Sequence, residues 1–174
     1  MRISDAIIEK LLTRSGVATP EQITALKDEA ARSRRPLQDI IIEKEIATDQ
    51  TLTQAFAVYA QIPYIELDPR DIPSDVISRI PERVARQYNA VLFRIAPDGV
   101  QELAMEDPDD VQAVNFIQKE IGENTRIYIA IHENILAALE NYRGDVNQEL
   151  NEVIDIQRED SAENQVVSEQ DVAE

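Results

Sequence analysis

A seven-residue pattern recurs at a fixed offset: Val17-Ala18-Thr19-Pro20-Glu21-Gln22-Ile23 aligns with Ile46-Ala47-Thr48-Asp49-Gln50-Thr51-Leu52, 29 positions on. The same offset lays Leu11-Leu12 over Ile40-Ile41. Each copy reads as an apolar helix end, a turn, a threonine N-cap and a new helix. Thr19 can accept a backbone N–H of the following turn, Pro20 suits the first helical position, and Glu21 meets the positive end of the helix dipole. Asp49 repeats that acidic first turn after Thr48. One helix–turn–helix unit cannot cover its own apolar face, so two tandem copies predict four helices packed on one another.

The helical spacing fills in this expectation. Ile7, Ile8, Leu11 and Leu12 mark a helix over about residues 4–15, capped by Ser4 or Asp5 and ended by Gly16. Ile23, Leu26 and Ala30 line the second helix, and Ser33-Arg34-Arg35-Pro36 breaks it. Ile40 and Ile41 belong to a third, over about 37–44. Leu52, Ala55, Phe56 and Tyr59 turn inward from a fourth, which stops before Pro63 because proline disfavours helix in the residue before it.

Beyond residue 62 the pattern changes. Tyr64-Ile65-Glu66-Leu67 alternates as a short strand, followed by a loop through Pro73. Short helices are predicted over 75–80 and 81–88, the second with Pro81 at its first position. Ala90-Val91-Leu92-Phe93-Arg94-Ile95, a turn at Pro97-Asp98-Gly99 and a strand over 101–105 make a hairpin. A helix carrying Val111, Val114, Ile117 and Ile121 precedes Gly122. A strand over 126–131 and a helix with Ile135, Leu136, Leu139 and Tyr142 complete the series. The predicted fold class is α+β. A helical subdomain (1–62) with two helix–turn–helix repeats precedes a small mixed sheet with packed helices (63–143). The segment 144–174 is expected to be an acidic disordered linker or tail, since it is polar and has no aromatic residue.

Composition narrows the chemistry. The 174 residues hold no cysteine and one histidine, which excludes thiolate catalysis, disulfides and Cys- or His-rich metal sites. The net charge of −17 disfavours nucleic acid and acidic lipid as partners and favours a basic protein surface. No apolar run approaches the roughly 20 residues that a membrane span requires, so a cytoplasmic protein without direct membrane insertion is expected. The only glycines, Gly16, Gly99, Gly122 and Gly144, are far apart. A phosphate loop needs clustered glycines followed by Lys and Ser or Thr, so the sequence has none. We therefore expect no catalytic residue, no cofactor and no metal.

Several pieces, in this order, resemble the N-terminal domain of the type II secretion and type IV pilus assembly ATPases. They are the turn and helix start over 16–23, Ile40-Ile41-Ile42-Glu43-Lys44, Ile62-Pro63-Tyr64-Ile65-Glu66-Leu67, Ile80-Pro81-Glu82, Leu103-Ala104-Met105-Glu106-Asp107-Pro108-Asp109 and the helix over 135–142. The resemblance covers about residues 11–142. It implies a docking and regulatory domain, joined in one polypeptide to an ATPase core. Its implied partner is a membrane-anchored cytoplasmic assembly protein, which would hold it at the inner membrane. It also implies an alternative, because some members bind cyclic di-GMP through a repeated arginine–leucine–glycine motif with a second glycine and a closing glutamine. In the second repeat those places carry Pro36, Leu37, Gln38, Glu45 and Tyr59; in the first, Ile7, Ile8, Glu9, Gly16 and Ala30. The apolar scaffold is kept and nearly every ligand-contacting type is replaced, although Arg34 and Arg35 lie within one or two positions. A free-standing adaptor is a further alternative.

The remaining residues with chemical potential have simpler roles available. His132 reads as a helix-start residue with a solvent-facing ring rather than a general base, since no nucleophile motif accompanies it. Asp107, Asp109 and Asp110 suit capping at a strand-to-helix junction better than metal ligation. Arg32, Arg34 and Arg35 form a basic spot that can contact an anion or complement the negative end of the second helix. Tyr59, Tyr64, Tyr88 and Tyr142 are expected in core or edge packing.

Overall fold

The computed structural model describes residues 1–142. The expected acidic tail, 144–174, lies outside the described residues. The fold is α+β, as the spacing predicts. Helices α1 (Asp5–Ser15), α2 (Pro20–Ser33), α3 (Leu37–Glu43) and α4 (Asp49–Ala60) come first. Then follow α5 (Ser74–Ile77), α6 (Glu82–Tyr88), β1 (Ala90–Ile95), β2 (Gln101–Met105), α7 (Val111–Ile121), β3 (Thr125–Ile129) and α8 (His132–Leu139).

The sequence repeat is also a structural one. Thr19 and Gln22 form a reciprocal capping box at the start of α2. At the equivalent place Thr48 accepts from the Thr51 N–H and caps α4. Leu11, Leu12, Ile40 and Ile41 are all buried in one helical core with Ile23, Leu52 and Phe56. The turns correspond too: Gly16 has φ +66 and Glu45 has φ +56. Glycine enters this left-handed region without penalty, whereas a residue with a Cβ is disfavoured by about 1–2 kcal/mol.

The sheet has the order β1-β2-β3, with β1 antiparallel to β2 and β2 parallel to β3. A parallel pair needs a long crossover, which α7 provides. Phe93 is an extra residue between the Leu92–Leu103 and Arg94–Glu102 pairs. This bulge sets the Phe93 ring edge-on to Tyr128, with centroids 5.3 Å apart. A second core gathers β1, β2 and residues from α5 to α8. Ile129, at the end of β3, is fully buried against the helical core instead. Its N–H donates to the Pro63 carbonyl and its carbonyl accepts from the Ile65 N–H, so the sheet is fastened to the helices there.

Several expectations are corrected. The strand expected over 64–67 shrinks to one parallel bridge, Tyr64 to Ile129, because only that end lies beside β3. Ser4 stands at the N-cap of α1 without a side-chain bond, and Asp5 instead accepts from the Leu37 N–H of α3. Pro81 is the N-cap of α6, not its first residue, and α5 spans only Ser74–Ile77. Tyr59, expected inward, is 37% exposed, and Val111 and Leu136, apolar residues that mark their helices, are 64% and 41% exposed. Periodicity marks an apolar stripe but not how much of its width the neighbours cover. Among the described residues no helix is long and apolar enough to cross a membrane.

Candidate functional site

The basic turn between α2 and α3 is built by the helix end. Arg34 takes the left-handed C-cap conformation, and its N–H donates to the Ala30 carbonyl. Its exposed side chain has no polar partner among the described residues. Arg35 is held by Glu43 across 2.6 Å, and Arg32 donates to the Asp28 carbonyl of its own helix. The motif positions carried over to this turn are occupied by the fold. Gln38 is buried and accepts from the Ile3 N–H at 2.9 Å, while its amide donates to the Met1 carbonyl and to Asp49. Pro36 offers no N–H, and the Leu37 N–H is already taken by the Asp5 carboxylate at 3.1 Å. Tyr59 sits away from this turn, beside Glu9, Lys10 and Arg14 on the α1–α4 surface.

The aspartates after β2 act as caps. Asp110 accepts from the Ala113 N–H at 3.0 Å and Asp107 from the Asp109 N–H at 3.2 Å. Among the described residues no group of three His, Asp or Glu side chains could hold a metal ion. His132 is half-exposed, but its ring is not merely solvated: Nδ1 lies 2.8 Å from Glu106 Oε2. Asn89 donates to the same oxygen at 2.8 Å, and the Met1 amino group pairs with Oε1. Burial resists ionisation of Glu106. The bonds from the amine and His132, with their charges, outweigh it and hold the carboxyl below its usual range.

A second carboxylate, Glu102, is 2% exposed in the middle of the sheet. Its neighbours in register are Arg94 on β1 and Arg126 on β3. Arg94 binds Oε2, the Tyr128 hydroxyl donates to Oε1 at 3.1 Å, and Arg126 stands 3.6 Å from Oε1. The Arg94 bond lowers the Glu102 pKa more than burial raises it. Neither Glu106 nor Glu102 is conspicuous in sequence. The available signal is the pattern Arg94, Glu102, Arg126, three charges in segments otherwise read as strands.

A cleft of about 400 Å³ opens beside the end of β1, between residues 65–76 and 93–95. The buried side chains of Leu67, Ile72, Val76 and Phe93 line it. Asp68, on its rim, is bound to Arg70 at 2.5 Å, and that side-chain bond lowers its pKa to about 2.

The comparisons with known proteins fit this architecture. A solved structure of MshE with cdg aligns with a TM-score of 0.62 and 21% identity, over 81% of this chain and 99% of that one. The N-terminal domain of XpsE aligns with a TM-score of 0.53 and 16% identity, over 80% of this chain and 96% of that one. At these identities the likeness shows a shared fold. The MshEN domain family matches residues 60–149, more than half of the chain, and the chain belongs to that family. It is also 23% identical over 146 residues to the type IV pilus assembly ATPase PilB of Myxococcus xanthus (strain DK1622). That alignment covers 83% of this chain and only 25% of the relative, so the chain spans about a quarter of PilB. The matched XpsE structure is the N-terminal domain of that protein.

Proposed function

We propose that this chain is a non-catalytic docking domain that couples a pilus-assembly or secretion motor core in the same polypeptide to a membrane-anchored cytoplasmic assembly protein. Family membership and the MshE-like fold support the motor context. The acidic surface, with a net charge of −17, favours a basic protein face as the partner and a cytoplasmic domain held at the inner membrane only through it.

The observation that carries docking over ligand sensing is the state of the α2–α3 turn. The MshE structure is described as being with cdg. Here Gln38 is buried and fully engaged within the fold, and Glu45 places a carboxylate where the resembling motif has a glycine. Recognition of a cyclic dinucleotide needs cations for its phosphates and close backbone approach. Among the described residues Arg34 is the one unengaged cation of this turn, and the Asp5 carboxylate already takes the Leu37 N–H. We expect calorimetry at low salt to give a cyclic di-GMP dissociation constant weaker than about 100 µM, corresponding to less than about 5.5 kcal/mol. Binding to the cytoplasmic part of the assembly protein should be measurable under the same conditions. Micromolar cyclic di-GMP affinity that Arg34→Ala abolishes would overturn the docking reading in favour of a sensor.

A further inference from the structure

The cleft beside β1 joins two properties that recognise one kind of partner. Its floor is apolar, formed by Leu67, Ile72, Val76 and Phe93, each 7% or 8% exposed. Its volume of about 400 Å³ lies within the roughly 300–1,000 Å³ range of ligand-holding clefts. Its rim is anionic. Glu66 and Asp71 are exposed at the cleft, and neither is in an ion pair among the described residues. The cations beside them are committed elsewhere, Arg70 to Asp68 and Arg94 to the buried Glu102.

The cleft also lies against a structural irregularity. β1 is an edge strand of the sheet, and its bulge at Phe93 turns that ring onto Tyr128. Residues 93–95, which begin at the bulge, form one wall, and residues 65–76 form the other. A large apolar side chain entering between the walls would leave water and meet the floor, while its neighbours would reach Glu66 and Asp71. Such an arrangement, an apolar anchor within a ring of charged contacts, gives affinity through the anchor and specificity through the charges.

We propose that this cleft is a docking site for a partner-protein segment carrying a large apolar residue flanked by lysine or arginine. The assignment rests on the docking reading above and locates a contact surface for it. Titration of the 15N-labelled 174-residue chain with a nonapeptide containing one leucine between lysine and arginine tests it. Saturable shift changes should concentrate on residues 65–76 and 93–95. The double substitution Glu66→Lys/Asp71→Lys should weaken binding at least tenfold. Glu120→Lys/Glu123→Lys, an equal charge change at exposed positions elsewhere, should leave it within twofold. Replacing the peptide leucine with serine should weaken binding at least fivefold.

Equal loss in both double variants, shifts spread over the whole acidic surface, or indifference to leucine would show non-specific charge attraction and overturn the proposal. Absence of any binding would overturn it as well. The same variants separate this proposal from the docking reading: if Glu66→Lys/Asp71→Lys binds the assembly protein as well as the unaltered chain does, the cleft assignment fails and docking stands. If the unaltered chain does not bind that protein at all, docking itself fails.

Discussion

Phe56 shows what a single side chain contributes and how its role can be read. It is 4% exposed and sits in the helical core with Leu52 and the buried pairs of both repeats. Its position follows from helical spacing alone, since it lies one turn beyond Leu52. We expect Phe56→Ala to cost about 3–5 kcal/mol, measured by urea unfolding, as the truncation of a buried aromatic leaves a cavity that the neighbours only partly fill. A loss under about 1 kcal/mol would place this face of α4 outside the core. Tyr59 follows Phe56 on nearly the same stripe but is 37% exposed, beside α1 residues rather than beneath them.

The paired turns are the informative comparison among elements. Gly16 and Glu45 occupy equivalent places in the two repeats, with φ values of +66 and +56. A Cβ built on Gly16 meets nothing within 4 Å, so the cost of Gly16→Ala is conformational rather than steric crowding. That cost should be about 1 kcal/mol. Glu45→Gly should have the opposite sign: relief of the left-handed strain exceeds the added entropy of the unfolded chain, for a gain of about 0.5–1 kcal/mol. Paired thermal melts check both signs. If Glu45→Gly destabilises, the Glu45 side chain makes a stabilising contribution that outweighs its backbone strain.

Across the whole molecule, Glu106, which follows β2, links the chain start, the end of α6 and the entry to α8 through the Met1 amine, Asn89 and His132. Its folded pKa lies below the usual value, so its contribution to stability is present above the unfolded pKa of about 4.3 and is lost as pH falls through the folded value. We expect Glu106→Gln to cost on the order of 1–3 kcal/mol at pH 7, since it removes a charged acceptor from three donors. That difference should shrink toward zero at acid pH below the folded pKa, where Glu106 in the unaltered chain also becomes neutral. Urea unfolding at both pH values is the measurement. An equal difference at the two would mean that the side chain acts through packing and not through its charge.

The order of helices and strands, the repeat, its threonine caps and most of the core follow from local pattern. These features depend on neighbours three or four residues apart in a helix and two apart in a strand, and such neighbours are written side by side in the chain. The absence of a phosphate loop is likewise a property of the sequence, because its glycines must be nearly contiguous. What required the tertiary structure are the relations between distant segments. The residues at 64–67 have strand alternation, yet only Tyr64 bridges, because pairing needs β3 alongside. His132 looked like an isolated helix-start residue until the fold set it against Glu106, 26 positions earlier. Asp5 looked like the cap of its own helix and serves α3 instead, 32 positions away. Glu66 and Asp71 come to rim a cleft only because residues 93–95 form its other wall. Local sequence therefore determined the elements and their apolar faces, whereas the placement of charge at the candidate sites was decided by packing, since Coulomb and hydrogen-bond partners depend on distance in space and not along the chain.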